Sequence, residues 1–136
     1  MLRTLELPRD DRAPALARRA LAATAADVDP GLVEDARLIV SELVTNSVRY
    51  GAGDEVRLRI EADEHRGLRC EVRDAGSGFV PRLPEGRRDA GGWGLQIVNR
   101  LADRWGVGHG STHVWFELAV GPDRHSTASV SPAHAG

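Results

Sequence analysis

A carboxylate, an amide and a guanidinium recur on one face of the stretch Asp35–Gly51, DARLIVSELVTNSVRYG, where Glu42, Asn46 and Arg49 stand at i, i+4 and i+7. At about 100° per residue of helix the three share an arc, with Asp35 nearby and Ile39 at its edge. Helix neighbours three and four apart reach the same ligand. This trio suits a cation bound to an anion, such as magnesium phosphate. A solvated polar face is the plain alternative. A second carboxylate ends the run Leu68–Asp74, whose inward set by period two is Leu68, Cys70, Val72 and then Asp74. An unpaired buried carboxylate is expensive, so Asp74 either meets a donor inside or caps the turn that follows. Beyond it, Ala75-Gly76-Ser77-Gly78-Phe79 permits positive φ and close backbone approach to a ligand. Gly91-Gly92-Trp93-Gly94 then opens a helix, and free N–H groups at such a start suit an anion. Between the glycine clusters, Val80–Ala90 is rich in proline, glycine and charge and long enough to serve as a lid. Three separate features converge on one ligand.

The elements that must position these groups are legible in order. Leu2–Leu7, ended by Pro8, reads as a first strand at a sheet edge. Asp10 or Asp11 is expected to cap a helix with Pro14 in its first turns, with Leu16, Ala20 and Ala23 as its apolar face and Arg12, Arg18 and Arg19 as its wet one. Asp29 caps the second helix, with Pro30 at N1 and Gly51-Ala52-Gly53 closing it. Its apolar arc is expected to hold Leu32, Val33, Ala36, Val40, Leu43, Val44 and Ser47. Val56–Ala62 and Leu68–Asp74 alternate as strands around a turn at Asp63–Gly67. A third helix carries Leu95, Val98, Leu101, Ala102 and Trp105, and Trp105–Gly108 and His113–Val120 close the domain as strands. The order β-α-α-β-β-loop-α-β-β predicts an α+β two-layer sandwich, a mixed, mainly antiparallel sheet with helices on one face. Residues 1–120 are expected to form this single domain, and 121–136 have the composition of a disordered tail.

Composition narrows the chemistry. Net charge is −2, so nothing in bulk electrostatics calls for nucleic acid or an anionic membrane. No apolar run approaches a membrane span, the start MLRTLELPRD lacks a signal-peptide core, and the lone cysteine, Cys70, fits a reducing cytoplasm. All 18 basic residues are arginine. Without lysine there is no P-loop, no common protein-kinase fold and no Schiff-base mechanism. The five histidines pair with no second cysteine and form no HExxH, so a protein-held transition-metal centre is not expected either.

Taken together, Glu42-x-x-x-Asn46, Asp74-x-Gly76-x-Gly78 and Gly92-x-Gly94-Leu95 resemble the N, G1 and G2 boxes of the GHKL ATPases, the Bergerat fold of gyrase B, Hsp90, histidine kinases and MutL. More narrowly, SELVTNSVRYG, GGWGLQIVNRLADRWG and VWFEL resemble the anti-sigma-factor serine kinases and their stand-alone bacterial relatives, over roughly Leu5–Leu118. The resemblance implies an ATP- and Mg²⁺-binding protein in which Asn46 binds the metal and Glu42 is the catalytic base or orients a water. It implies that Arg49 meets the phosphates, that Asp74 accepts from the adenine amino group, and that Gly76 and Gly78 let the chain pass close to the nucleotide. Gly92 and Gly94 would form the hinge of the lid at the phosphates, with Leu95 beside them among the nucleotide-binding residues. Relatives usually carry threonine or serine just before the apolar run of the last strand. Here His113 stands there with Thr112 one before, so either Thr112 takes over the adenine-site contact or the contact is absent. The implied activity is transfer of the ATP γ-phosphate to a serine or threonine of an antagonist protein, with a sigma factor as second partner. The alternative is an ATP-binding interaction module with little or no kinase activity. The short lid argues against a gyrase-type or Hsp90-type machine. Some relatives form homodimers through the first strand and helix, and the same contact is open here.

Overall fold

The structure is a computed structural model, and it describes residues 1–76, 95–108 and 112–121. Its elements run β1 (Leu2–Pro8), α1 (Ala13–Thr24), α2 (Pro30–Tyr50), β2 (Glu55–Asp63), β3 (Gly67–Arg73), α3 (Leu95–Leu101), β4 (Arg104–Val107) and β5 (His113–Ala119). The element order and the edge position of β1 are as the pattern predicts. The strands form one sheet in the order β1-β2-β3-β5-β4. Every pairing among the described residues is antiparallel, so the mixed sheet is corrected to an antiparallel one.

Alternation builds the core. Val56, Leu58, Ile60 and Ala62 of β2 point to one face, as do Leu68, Cys70 and Val72 of β3 and Val114, Phe116 and Leu118 of β5. The helices cover that face: α1 against β1 and β2, α2 over β3, and α3 against β4 and the flank of α2. The other face is a lattice of charge, with Arg57 on Glu6, Arg59 on Glu61, and Arg69 both paired to Glu117 at 2.8 Å and stacked 4.4 Å from the Trp115 ring. Such pairs are individually weak, and they keep a two-layer sheet wet on its open side.

Four local expectations shift. The N-cap of α1 is Arg12, because the Asp10 carboxylate is committed to the Arg12 backbone N–H (2.9 Å) and guanidinium (2.8 Å) instead of the helix start. The buried face of α1 is Ala13, Ala17, Ala20, Leu21 and Thr24, while Leu16 is half-buried and Ala23 exposed. On α2, Ile39 lies fully inside and Val33 only partly, since α2 is buried beneath α1, α3 and the sheet at once and its apolar arc is correspondingly rolled. Trp105 belongs to β4, where its indole N–H donates to Asn99 of α3 at 3.1 Å. Asp29, Pro30 and Gly51 bound α2 where the cap residues put them.

Candidate functional site

Asp74 follows the last residue of β3, and the alternation that buries Leu68, Cys70 and Val72 carries it inward, 9% exposed. Among the described residues, four donors meet its carboxylate. The Ser47 hydroxyl donates to Oδ2 at 2.5 Å. The backbone N–H groups of Gly76 and Ala52 donate to Oδ1 at 2.7 and 3.3 Å, and the Thr112 hydroxyl donates to the same oxygen. Both alternatives open in the sequence therefore hold at once: Asp74 has inward donors, and through Gly76 it closes the turn after β3. Hydrogen bonds to a charged acceptor contribute roughly 1.5–3 kcal/mol each, and a set of this size offsets the burial of a carboxylate.

Each donor is delivered by an element. β3 and β5 pair with Arg73 opposite His113, so one step beyond the ladder Asp74 stands opposite Thr112. Ser47 is on the buried face of α2, one turn before that helix ends at Gly51. A Cβ on Gly51 would lie 2.1 Å from Asp74 Oδ2, so only a glycine lets the chain leave the helix this close to the carboxylate. The next residue, Ala52, gives its N–H to Asp74 and its carbonyl to the Ala75 N–H at 3.0 Å.

Glu42 and Asn46 lie one helical turn apart on α2. Ser41 faces α1, accepting from Arg18 Nη1 at 3.0 Å. Rotation of about 100° per residue turns Glu42 and Asn46 away from the direction of Ser41. The Asn46 Nδ2 atom is buried and has no hydrogen-bond partner among the described residues. A buried amide left unsatisfied costs about 1–3 kcal/mol, and rotation about its last bond exchanges its oxygen for its nitrogen. Glu42 is half-buried and makes no ion pair or hydrogen bond among the described residues. Arg49 is exposed in the last turn of α2. Leu95 is the first residue of α3, and its side chain is buried in the core. Gly76 packs beside the carboxylate, with a would-be Cβ 2.8 Å from Thr112 Cγ2. Gly78, Gly92, Gly94, the lid between them, the turn at 109–111 and the tail lie outside the described residues. A groove of about 690 Å³ opens at the far end of β3, lined by Arg59, Arg66 and Arg69, and shares no residue with the Asp74 cluster.

Sequence reasoning does not find Ser47, Gly51 and Ala52 as partners of Asp74. A hydroxyl on an arc otherwise made of leucine, valine and alanine is the available signal for the first.

Residues 7–118 match the family described as the histidine kinase-like ATPase domain. The chain belongs to that family. The ATPase domain is also similar to the crystal structure of the RsbU and RsbW domains of Rv1364c from Mycobacterium tuberculosis, at 21% identity and a TM-score of 0.64. The match covers 88% of this chain and 31% of that one. At that identity the likeness bears on the fold, and the fold is the α+β, GHKL-type sandwich expected from the three boxes. No curated protein sequence matches the chain. Among the described residues no helix is long and apolar enough to cross a membrane.

Proposed function

We propose that this ATPase domain binds ATP with Mg²⁺ between Asp74 and Asn46 and passes the γ-phosphoryl group to a serine or threonine hydroxyl of an antagonist protein. The observation that carries the binding half is the held Asp74 carboxylate. Oδ1 is saturated by three donors, whereas Oδ2 receives only Ser47 among the described residues. A carboxylate oxygen has room for a second donor, and an adenine amino group is a donor of that kind. Asn46 adds a buried amide whose nitrogen has no partner among the described residues, and its oxygen is a hard ligand of the sort magnesium takes alongside phosphate oxygens. The residues present therefore fit a magnesium nucleotide.

When bound, the nucleotide brings the phosphoryl group and its metal, whose charge lowers the barrier to in-line transfer. The chain's own residues do the rest. Asp74, kept in place by Ser47, Ala52, Gly76 and Thr112, orients the base. Glu42, one turn before Asn46, takes the proton of the incoming hydroxyl or aligns a water. Arg49 would meet phosphate oxygens, Gly76 and Gly78 would allow close passage of the chain to the nucleotide, and Gly92 and Gly94 would serve as the hinge of the lid, with Leu95 following them in the same box. The SELVTNSVRYG motif, in its resemblance to the anti-sigma-factor serine kinases, supports an antagonist protein as substrate and a sigma factor as competing partner.

The test is a pair of variants. Asn46→Ala should abolish Mg²⁺-dependent ATP binding in calorimetry, and Glu42→Ala should bind ATP yet fail to phosphorylate any protein captured with the domain. ATP binding by both variants at the wild-type level would falsify the site assignment. A captured protein that wild type never phosphorylates would leave a nucleotide-gated interaction module in place of a kinase.

A further inference from the structure

Among the described residues, the Arg9 guanidinium is spent entirely on backbone carbonyls at the junction beneath the site. Its Nε donates to Gly53 O at 2.6 Å, and its Nη1 donates to Ser47 O at 3.1 Å and Val48 O at 2.8 Å. Ser47 and Val48 belong to the last turn of α2, whose carbonyls carry the negative end of the helix dipole, and Ser47 O also accepts from the Gly51 N–H at 2.8 Å. The Arg9 backbone N–H adds a bond to Asp54 O at 2.9 Å, just past the last β1–β2 pair, Pro8 with Glu55. One side chain thus pins the end of α2 and the 51–54 turn to the end of β1.

The pinned segment is the one that holds Asp74. Ser47 supplies the hydroxyl on Oδ2, Ala52 supplies an N–H on Oδ1, and Gly51 passes against the carboxylate with no space for a Cβ. We propose that Arg9 is a positioning residue for base recognition: by clamping residues 47–53 it fixes the direction in which Asp74 presents its remaining acceptor to the nucleotide. This rests on the reading of Asp74 as the group that meets the base. Arg9 itself touches no part of the proposed ligand, so its removal should degrade recognition of the base and leave recognition of the phosphates intact. A lysine cannot reproduce it, since three carbonyls in a fixed fan need the guanidinium fork.

The experiment is calorimetric titration of wild type, Arg9→Lys, Arg9→Gln and Arg9→Ala with ATP, GTP and inorganic tripolyphosphate, each with Mg²⁺. The expected result is an ATP affinity about tenfold lower in Arg9→Ala, a change of about 1.4 kcal/mol. The ATP-to-GTP ratio should fall with it, tripolyphosphate affinity should be unchanged, and Arg9→Lys and Arg9→Gln should lie between. Should Arg9→Ala not fold, the two milder variants must still lower ATP-to-GTP discrimination. A uniform loss across all three ligands, or discrimination kept at the wild-type value in every folded variant, would overturn the proposal and leave Arg9 a plain helix cap. If wild type itself fails to prefer ATP over GTP, the reading of Asp74 falls first and the role of Arg9 with it.

Discussion

Thr112 and Asp74 face each other one step beyond the β3–β5 ladder, and the threonine hydroxyl donates to the carboxylate. The neighbouring His113 points to the opposite face of the sheet, where its Nε2 lies 3.2 Å from Glu71 Oε1. Period two decides between them: Val114, Phe116 and Leu118 point inward, so 112 does and 113 does not. Thr112, and not His113, is therefore the residue of this strand end that meets Asp74.

Thr112→Val should therefore lower ATP affinity about tenfold in calorimetric titration, the equivalent of one hydrogen bond to a charged group. Thr112→Ser should keep most of it, and His113→Ala should leave it unchanged. A loss on replacing His113 as large as that on replacing Thr112 would contradict the register argument.

Ser47→Ala removes the single protein donor to Asp74 Oδ2 among the described residues. Urea denaturation should show a loss of about 1.5–3 kcal/mol, the range for a bond to an ionised acceptor. A loss below about half a kilocalorie would mean that water or a shifted neighbour replaces the hydroxyl.

Gly51→Ala tests sterics without backbone strain. Gly51 has φ −84°, open to any residue, yet the new Cβ would sit 2.1 Å from Asp74 Oδ2 and 2.6 Å from Ser47 O. Either the helix end or the carboxylate must move. Both melting temperature and ATP affinity should fall together, and an alanine variant with wild-type binding would contradict the close approach.

Much of this site is legible in the amino-acid sequence. Cap residues mark both ends of α2, and alternation carries Asp74 inward after Leu68, Cys70 and Val72. The partners of Asp74 are not legible, because Thr112 meets it only through the β3–β5 register, and Ser47 only through the roll of α2 on the sheet. Neither quantity is local. The same roll moves Ile39 from the edge of the polar arc into the core. The α1 cap departs from expectation for a local reason: Asp10 is drawn to the guanidinium of Arg12, a competition that helix-start rules do not weigh.

Glu71 predicts the acid limb of stability. Burial pushes its carboxyl up, but the attraction of His113, Arg69 and Arg59 together outweighs burial and holds it below the usual glutamate range. A carboxyl lowered by folding contributes stability that is present above its unfolded value, near about 4.3, and is lost as pH falls through the folded one. Thermal melts from about pH 6 to pH 3 should show that decline in wild type and a shallower one in Glu71→Gln. Parallel declines would assign the acid limb to other groups.

The claim on which the rest depends is that Asp74 recognises the base of the nucleotide. Asp74→Asn keeps size and position but replaces one acceptor oxygen by a donor, in a nest already made of donors. Titration of this variant with Mg²⁺ and ATP, beside Mg²⁺ and tripolyphosphate, is the direct measurement. ATP affinity should drop at least about tenfold while tripolyphosphate still binds as in wild type. Undiminished ATP binding by a folded Asp74→Asn protein would contradict the claim.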